Sequence, residues 1–240
     1  MPMPQAPSTP AFGGGPPPRS GEELELADPE RALAVAYAPS RARTALAALF
    51  ALDERFGAVI ASTSEPMIGL MRLAWWREAL ERLDRAPAPA EPLLSALAEH
   101  VLPRGVTGAQ LAAIEDGWAA LIDGETDDAA IARHGRERGG NLFAAAATLL
   151  GTEKGRLAAA GEIWALADLS LRHSQPGVRE SARAQALSRA RTVPIGRWPA
   201  AARGLAALYA LARRDAESGG RVQGSPKRLL RMLALRLFGR

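Results

Sequence analysis

The sequence predicts an all-α domain, and three observations carry that expectation. Ala, Leu and Arg, all strong helix formers, dominate its 240 residues. The β-branched and aromatic types that favour strands are sparse. Apolar positions recur at helical spacing, as in Ala45, Leu49, Leu52, Phe56 and Val59, or Leu73, Trp76, Leu80 and Leu83.

Residues 1–20 are rich in Pro, Gly and Ser, a composition that cannot pack a core, so a disordered tail is expected there. A single helical domain is expected over 21–240. Helices are placed near 29–38, 41–62, 65–84, 91–101, 108–122, 128–150, 155–174, 178–190, 198–218 and 226–238. Their breaks have local causes. Pro39 ends the first. The run APAPAEP at 86–92 forces a linker. Pro103 and Gly105 stop the fourth, and Thr107 is placed to cap the fifth. Asp123, Glu125, Asp127 and Asp128 form an acidic turn whose Thr126 or Asp127 caps the sixth. Gln175-Pro176-Gly177 and the loop containing Pro194 and Gly196 separate the last helices.

Composition excludes several chemistries. Without cysteine there is no disulfide, thiolate metal site or thiol nucleophile. Three histidines argue against a multi-histidine metal centre. The net charge of +4 permits attraction to phosphate or anionic lipid without demanding nucleic acid, and no nucleic-acid partner is expected. No apolar run approaches the roughly 20 residues needed to cross a bilayer, and the N-terminus lacks the apolar region of a signal peptide.

The stretch ALAALFALDERFGAVIASTSEPMIGLMRLAWWREAL (45–80) resembles the first two core helices of squalene and phytoene synthases. It is similar above all to their bacterial relatives and to the complex I assembly factor built on the same fold. HGRERGGNLFAAAATLLG (134–151) and GEIWALADLSLRHS (161–174) follow in the order the family has. The resemblance covers roughly 28–238 and implies the helical isoprenoid synthase bundle. It also implies head-to-head joining of two prenyl diphosphates, with Mg²⁺ held by Asp-x-x-x-Asp pairs on two facing helices. Residues four apart share a helix face, and Mg²⁺ takes oxygen ligands shared with phosphate.

The acids that this chemistry needs look misplaced. Where the resemblance puts the first cluster, the chain carries Gly57, Ala58 and Ala61. Asp53 and Glu54 are adjacent, about 100° apart on a helix, and read as a solvated edge. Near the second, Asp168 faces Arg172 four residues on, which reads as a surface ion pair. The expectation is therefore a degenerate member without a resident cofactor, serving as an assembly factor or as an isoprenoid- or lipid-binding protein. The alternative is an active, Mg²⁺-dependent prenyltransferase. Arg72, Arg77 and Asp168 are the candidate diphosphate contacts. Trp75 and Trp76 are expected in the core, with these arginines at its rim.

The remaining charges read as surface features. Glu78 with Arg82, and Glu81 with Arg85, have ion-pair spacing, with Asp84 extending the acidic stripe. His134 with Arg133, Arg136 and Arg138 reads as a solvated basic patch, and Gly139 with Gly140 as a point of close helix approach or local bending. The C-terminal segment SPKRLLRMLALRLFGR (225–240) is basic and amphipathic. It either lies on an anionic membrane through Lys227, Arg228, Arg231, Leu233, Leu237 and Phe238, or closes the bundle with its arginines outward. The expected location is cytoplasmic, peripheral on the inner face of the membrane. The expected partners are a membrane surface, an isoprenoid or lipid, and respiratory complex subunits.

Overall fold

The computed structural model describes residues 25–194 and 196–239; the expected N-terminal tail lies outside them. The described residues form eleven α-helices and no strand: α1 Pro29–Ala36, α2 Ser40–Ala61, α3 Pro66–Arg82, α4 Pro92–His100, α5 Gly108–Ala119, α6 Asp128–Arg133, α7 Asn141–Leu150, α8 Gly155–Arg172, α9 Pro176–Ala190, α10 Arg203–Ser218 and α11 Pro226–Phe238.

Helix starts follow the chemistry of caps. Asp28 accepts from the Glu30 and Arg31 amides at the start of α1, and Glu91 accepts from Leu94 N at α4. Thr107 and Gln110 form a reciprocal capping box on α5. Asp127 caps α6 by accepting from Ala130 N. Pro occupies the first turn of α1, α3, α4, α9 and α11, where its missing N–H costs nothing.

The helix expected over 128–150 is continuous but not uniform. Between α6 and α7, His134–Gly140 winds as a π-helix, which widens the turn and shifts the phase of all that follows. Gly139 then packs directly on Gly161 of α8. A Cβ on Gly139 would lie 2.0 Å from the Gly161 carbonyl oxygen. This close approach brings the π turn against α8.

One hydrophobic core draws on all eleven helices. α2 runs through its middle and touches α1, α3, α4, α5 and α7. Phe50, Phe143 and Trp164 interlock there, with Phe50 edge-on to both of the others. No described helix is long and apolar enough to cross a membrane.

Candidate functional site: a buried charge centre

Several charges that read as solvated are inside. Asp53 is fully buried because α2 is enclosed on several sides, so the edge of its apolar stripe is covered as well. Arg138 is 1% exposed and His134 is fully buried. The π turn rotates both inward while Arg133 and Arg136 stay outside. Asp168 is also buried. Its pair with Arg172 forms, at 2.9 Å, but belongs to a larger network.

Arg138 is the hub. Its Nε donates to Asp53 Oδ1 at 2.8 Å and its Nη2 to Asp53 Oδ2 at 3.0 Å. The same Nη2 reaches Asp168 Oδ2 at 3.2 Å. Trp118 and Trp164 flank the guanidinium, with centroids at 4.1 and 4.8 Å, so its faces meet π-systems while its edge meets carboxylates. Asp53 also accepts from Trp118 Nε1 at 2.9 Å and from Arg31 Nη1 at 3.0 Å. Its lone-pair sites are thereby filled.

Burial alone would raise the Asp53 carboxyl; Arg138 and Arg31 outweigh it and hold the group below the ordinary carboxylate range. Asp168 is lowered by the same balance, with burial opposed by Arg138, Arg31, Arg172 and Arg221. His134 is pushed down to about 3, by burial first and then by the charge of Arg138. Its Nδ1 lies 2.7 Å from the Gly117 carbonyl and its Nε2 lies 3.3 Å from Arg138 Nη1. A neutral ring fits both contacts: Nδ1–H donates to the carbonyl, and the Nε2 lone pair faces the guanidinium.

The network continues outward. Asp168 Oδ1 accepts from Arg221 at 3.2 Å, and Arg221 Nε donates to Asp215 at 2.9 Å. Asp215 and Glu30 share Arg228, which donates to Asp215 Oδ2 at 3.1 Å and to Glu30 Oε2 at 2.8 Å. Arg228 is buried, so its expected membrane contact is corrected.

The other candidates sit elsewhere. Arg72 donates to the Ser62 and Thr63 hydroxyls. Arg77 pairs with Glu115, at 2.7 Å through Nε, and with Asp116. Neither shares a partner with Asp168. Trp76 is buried but Trp75 is half exposed, because α3 turns that face to solvent. Gly57 packs on the Trp118 ring, while Ala58 and Ala61 are exposed; the inward position on α2 is Asp53. Asp84 caps α5 by accepting from the Gly108 and Ala109 amides. Among the described residues, the pairs Glu78–Arg82 and Glu81–Arg85 do not form.

Two helices therefore do present an acid each to one central point. Four residues later, on the same face, stand Gly57 on α2 and Arg172 on α8. No group of three or more His, Asp or Glu side chains converges among the described residues. The carboxylates present are already saturated by guanidinium, so these residues do not fit a Mg²⁺ site. A crevice of about 10 Å³ beside the network is lined by Asp28, Glu30, Asp168, Arg221 and Arg228 together with Trp164, Leu208 and Leu211. It is too small to enclose a prenyl chain.

The family model described as squalene/phytoene synthase matches residues 24–162. The chain belongs to the squalene/phytoene synthase family. No curated protein and no solved structure matches it at a significant level. The matched residues include Asp53 and Arg138, whereas Asp168, Arg221 and Arg228 lie beyond them. The helical bundle is that of the family, and its centre holds a guanidinium between two carboxylates.

Proposed function

We propose that this chain is a non-catalytic member of the family, acting as an assembly or lipid-associated factor at a membrane surface. One observation carries the reading: the point where acids from α2 and α8 meet is filled by Arg138, 1% exposed and bonded to both. An ionising allylic diphosphate needs a cation that can reach its phosphate oxygens. Four of the five N–H groups of this guanidinium are taken by Asp53, Asp168 and His134, and with Trp118 and Trp164 over its faces it has no exposed edge to offer a phosphate.

Two surface features support the rest of the reading. α3 exposes Met67, Ile68, Met71 and Trp75 along one side, and Met and Trp are residue types that protein interfaces favour. α11 exposes Leu229, Leu230, Leu233, Leu237 and Phe238, the arrangement of a helix that rests on lipid.

Incubation with farnesyl or geranylgeranyl diphosphate and Mg²⁺ tests the catalytic half. No pyrophosphate release above the blank is expected, and turnover of either substrate would overturn it. Affinity capture from native membranes, under conditions that keep complexes intact, tests the assembly half. Respiratory subunits are expected, and their absence would count against it.

A further inference from the structure

α11 does not pack as its sequence suggests. Its buried side is Arg228, Met232 and Leu235, and its outer side is leucine-rich. Leu230 and Phe238 are each 64% exposed. The reason is Arg228, which Glu30 and Asp215 draw inward and which thereby fixes the rotation of the whole helix. An outer face of five large apolar side chains is costly in water and suited to an apolar medium.

At the start of that face, a cleft of about 130 Å³ opens between the end of α10 and the beginning of α11. Arg214, Lys227 and Arg231 line it, together with Ser218, Ser225 and Val222. All three cations are exposed, and among the described residues none has an ion-pair partner. The acid in the lining, Asp215, is consumed by Arg221 and Arg228. The cleft is therefore cationic, its lining includes the exposed Val222, and the exposed Leu230 stands three residues after Lys227 on α11. A free phosphate or an acidic peptide would match the charge but not the neighbouring apolar face. A molecule with a phosphate at one end and acyl chains at the other matches both.

We propose that this cleft is a headgroup site for an anionic phospholipid. Arg214, Lys227 and Arg231 hold the phosphate, and the leucine face of α11 lies against the acyl region. The proposal rests on the membrane reading above and adds the lipid class and the residues that select it.

The test is co-sedimentation of the full chain with vesicles of phosphatidylcholine alone, or of phosphatidylcholine mixed with phosphatidylglycerol. Wild type should bind the mixed vesicles and bind neutral ones weakly. Each basic residue at an anionic leaflet contributes about fivefold in affinity. The variant Arg214→Ala/Lys227→Ala/Arg231→Ala should therefore bind mixed vesicles on the order of a hundredfold more weakly. Arg82→Ala/Arg85→Ala/Arg191→Ala, which removes the same charge from exposed positions elsewhere, should retain binding. Equal losses in the two triple variants would overturn the site in favour of diffuse attraction. Undiminished binding by the cleft variant would overturn the site and leave the membrane reading intact. Failure of wild type to bind any vesicle would overturn both. Circular dichroism of each variant confirms that the fold is kept, as exposed positions predict.

Discussion

Arg138 grips Asp53 in a two-pronged pair, Nε to Oδ1 at 2.8 Å and Nη2 to Oδ2 at 3.0 Å, across 85 residues of sequence. Both side chains are buried. Such a pair is weak evidence of net stabilisation, but breaking it from one side is costly because the other charge remains buried. Arg138→Met should destabilise the fold by about 3–5 kcal/mol, read as a lower urea midpoint. Adding Asp53→Asn should restore part of that loss. A double variant no better than Arg138→Met would refute the coupling.

His134 makes stability depend on pH above the carboxylate range. Its folded-state pKa is lowered to about 3, so between roughly pH 6.5 and that value the unfolded chain binds a proton that the folded chain refuses. Stability is full above about pH 6.5 and should fall by about 1.4 kcal/mol per pH unit through this window. The lowered carboxyls of Asp53 and Asp168 add a second loss, beginning only as pH drops below about 4. His134→Gln can still donate to Gly117 and accept from Arg138, and should flatten the upper window alone. Equal slopes for variant and wild type between pH 6 and 4, measured by chemical denaturation, would rule this out.

The contact of Gly139 with Gly161 admits no side chain. Gly139→Ala places a methyl 2.0 Å from a backbone oxygen, and α8 must move away. A loss of about 1–3 kcal/mol is expected, as for other overpacked cores. Gly177→Ala is the contrast: nothing lies within 4 Å of its Cβ, and a helical Ala there should gain about 0.5–1 kcal/mol. Thermal melts of the two variants should shift in opposite directions.

Arg228 fixes α11 on the bundle. Arg228→Leu leaves Glu30 buried without its cation and Asp215 with Arg221 alone. Limited proteolysis should cut the variant near α11 faster than wild type, with a stability loss of about 3 kcal/mol or more. Unchanged cleavage would mean that Met232 and Leu235 hold the helix unaided.

Much of the fold was legible because it rests on local signals. Apolar spacing placed the helices, prolines and glycines placed their breaks, and Thr107 and Asp127 marked two starts. The charge centre was less legible because its members are far apart in the chain and each resembles a surface residue beside its sequence neighbours. Asp53 looked like one end of an acidic edge, and Arg138 like one arginine of a basic run. Signals existed nonetheless. Asp53 stands four residues after Leu49 and three before Phe56, within the apolar stripe. Asp168 is the one acid in the otherwise uncharged run WALADLSL. The inversion of α11 had no local signal, since only Glu30 and Asp215 decide which arginine turns inward.

The bond between Glu30 and Arg228 joins positions 198 residues apart. During synthesis, α1 emerges from the ribosome long before its counter-charge exists. Until α11 is made, Glu30 lacks the cation that offsets the cost of burying its carboxylate. The junction of α1, α10 and α11 thus closes only once Arg228 has been released, and the same contact turns the leucines of α11 outward. One ion pair therefore ties the burial of α1 to the outward turn of the apolar face of α11.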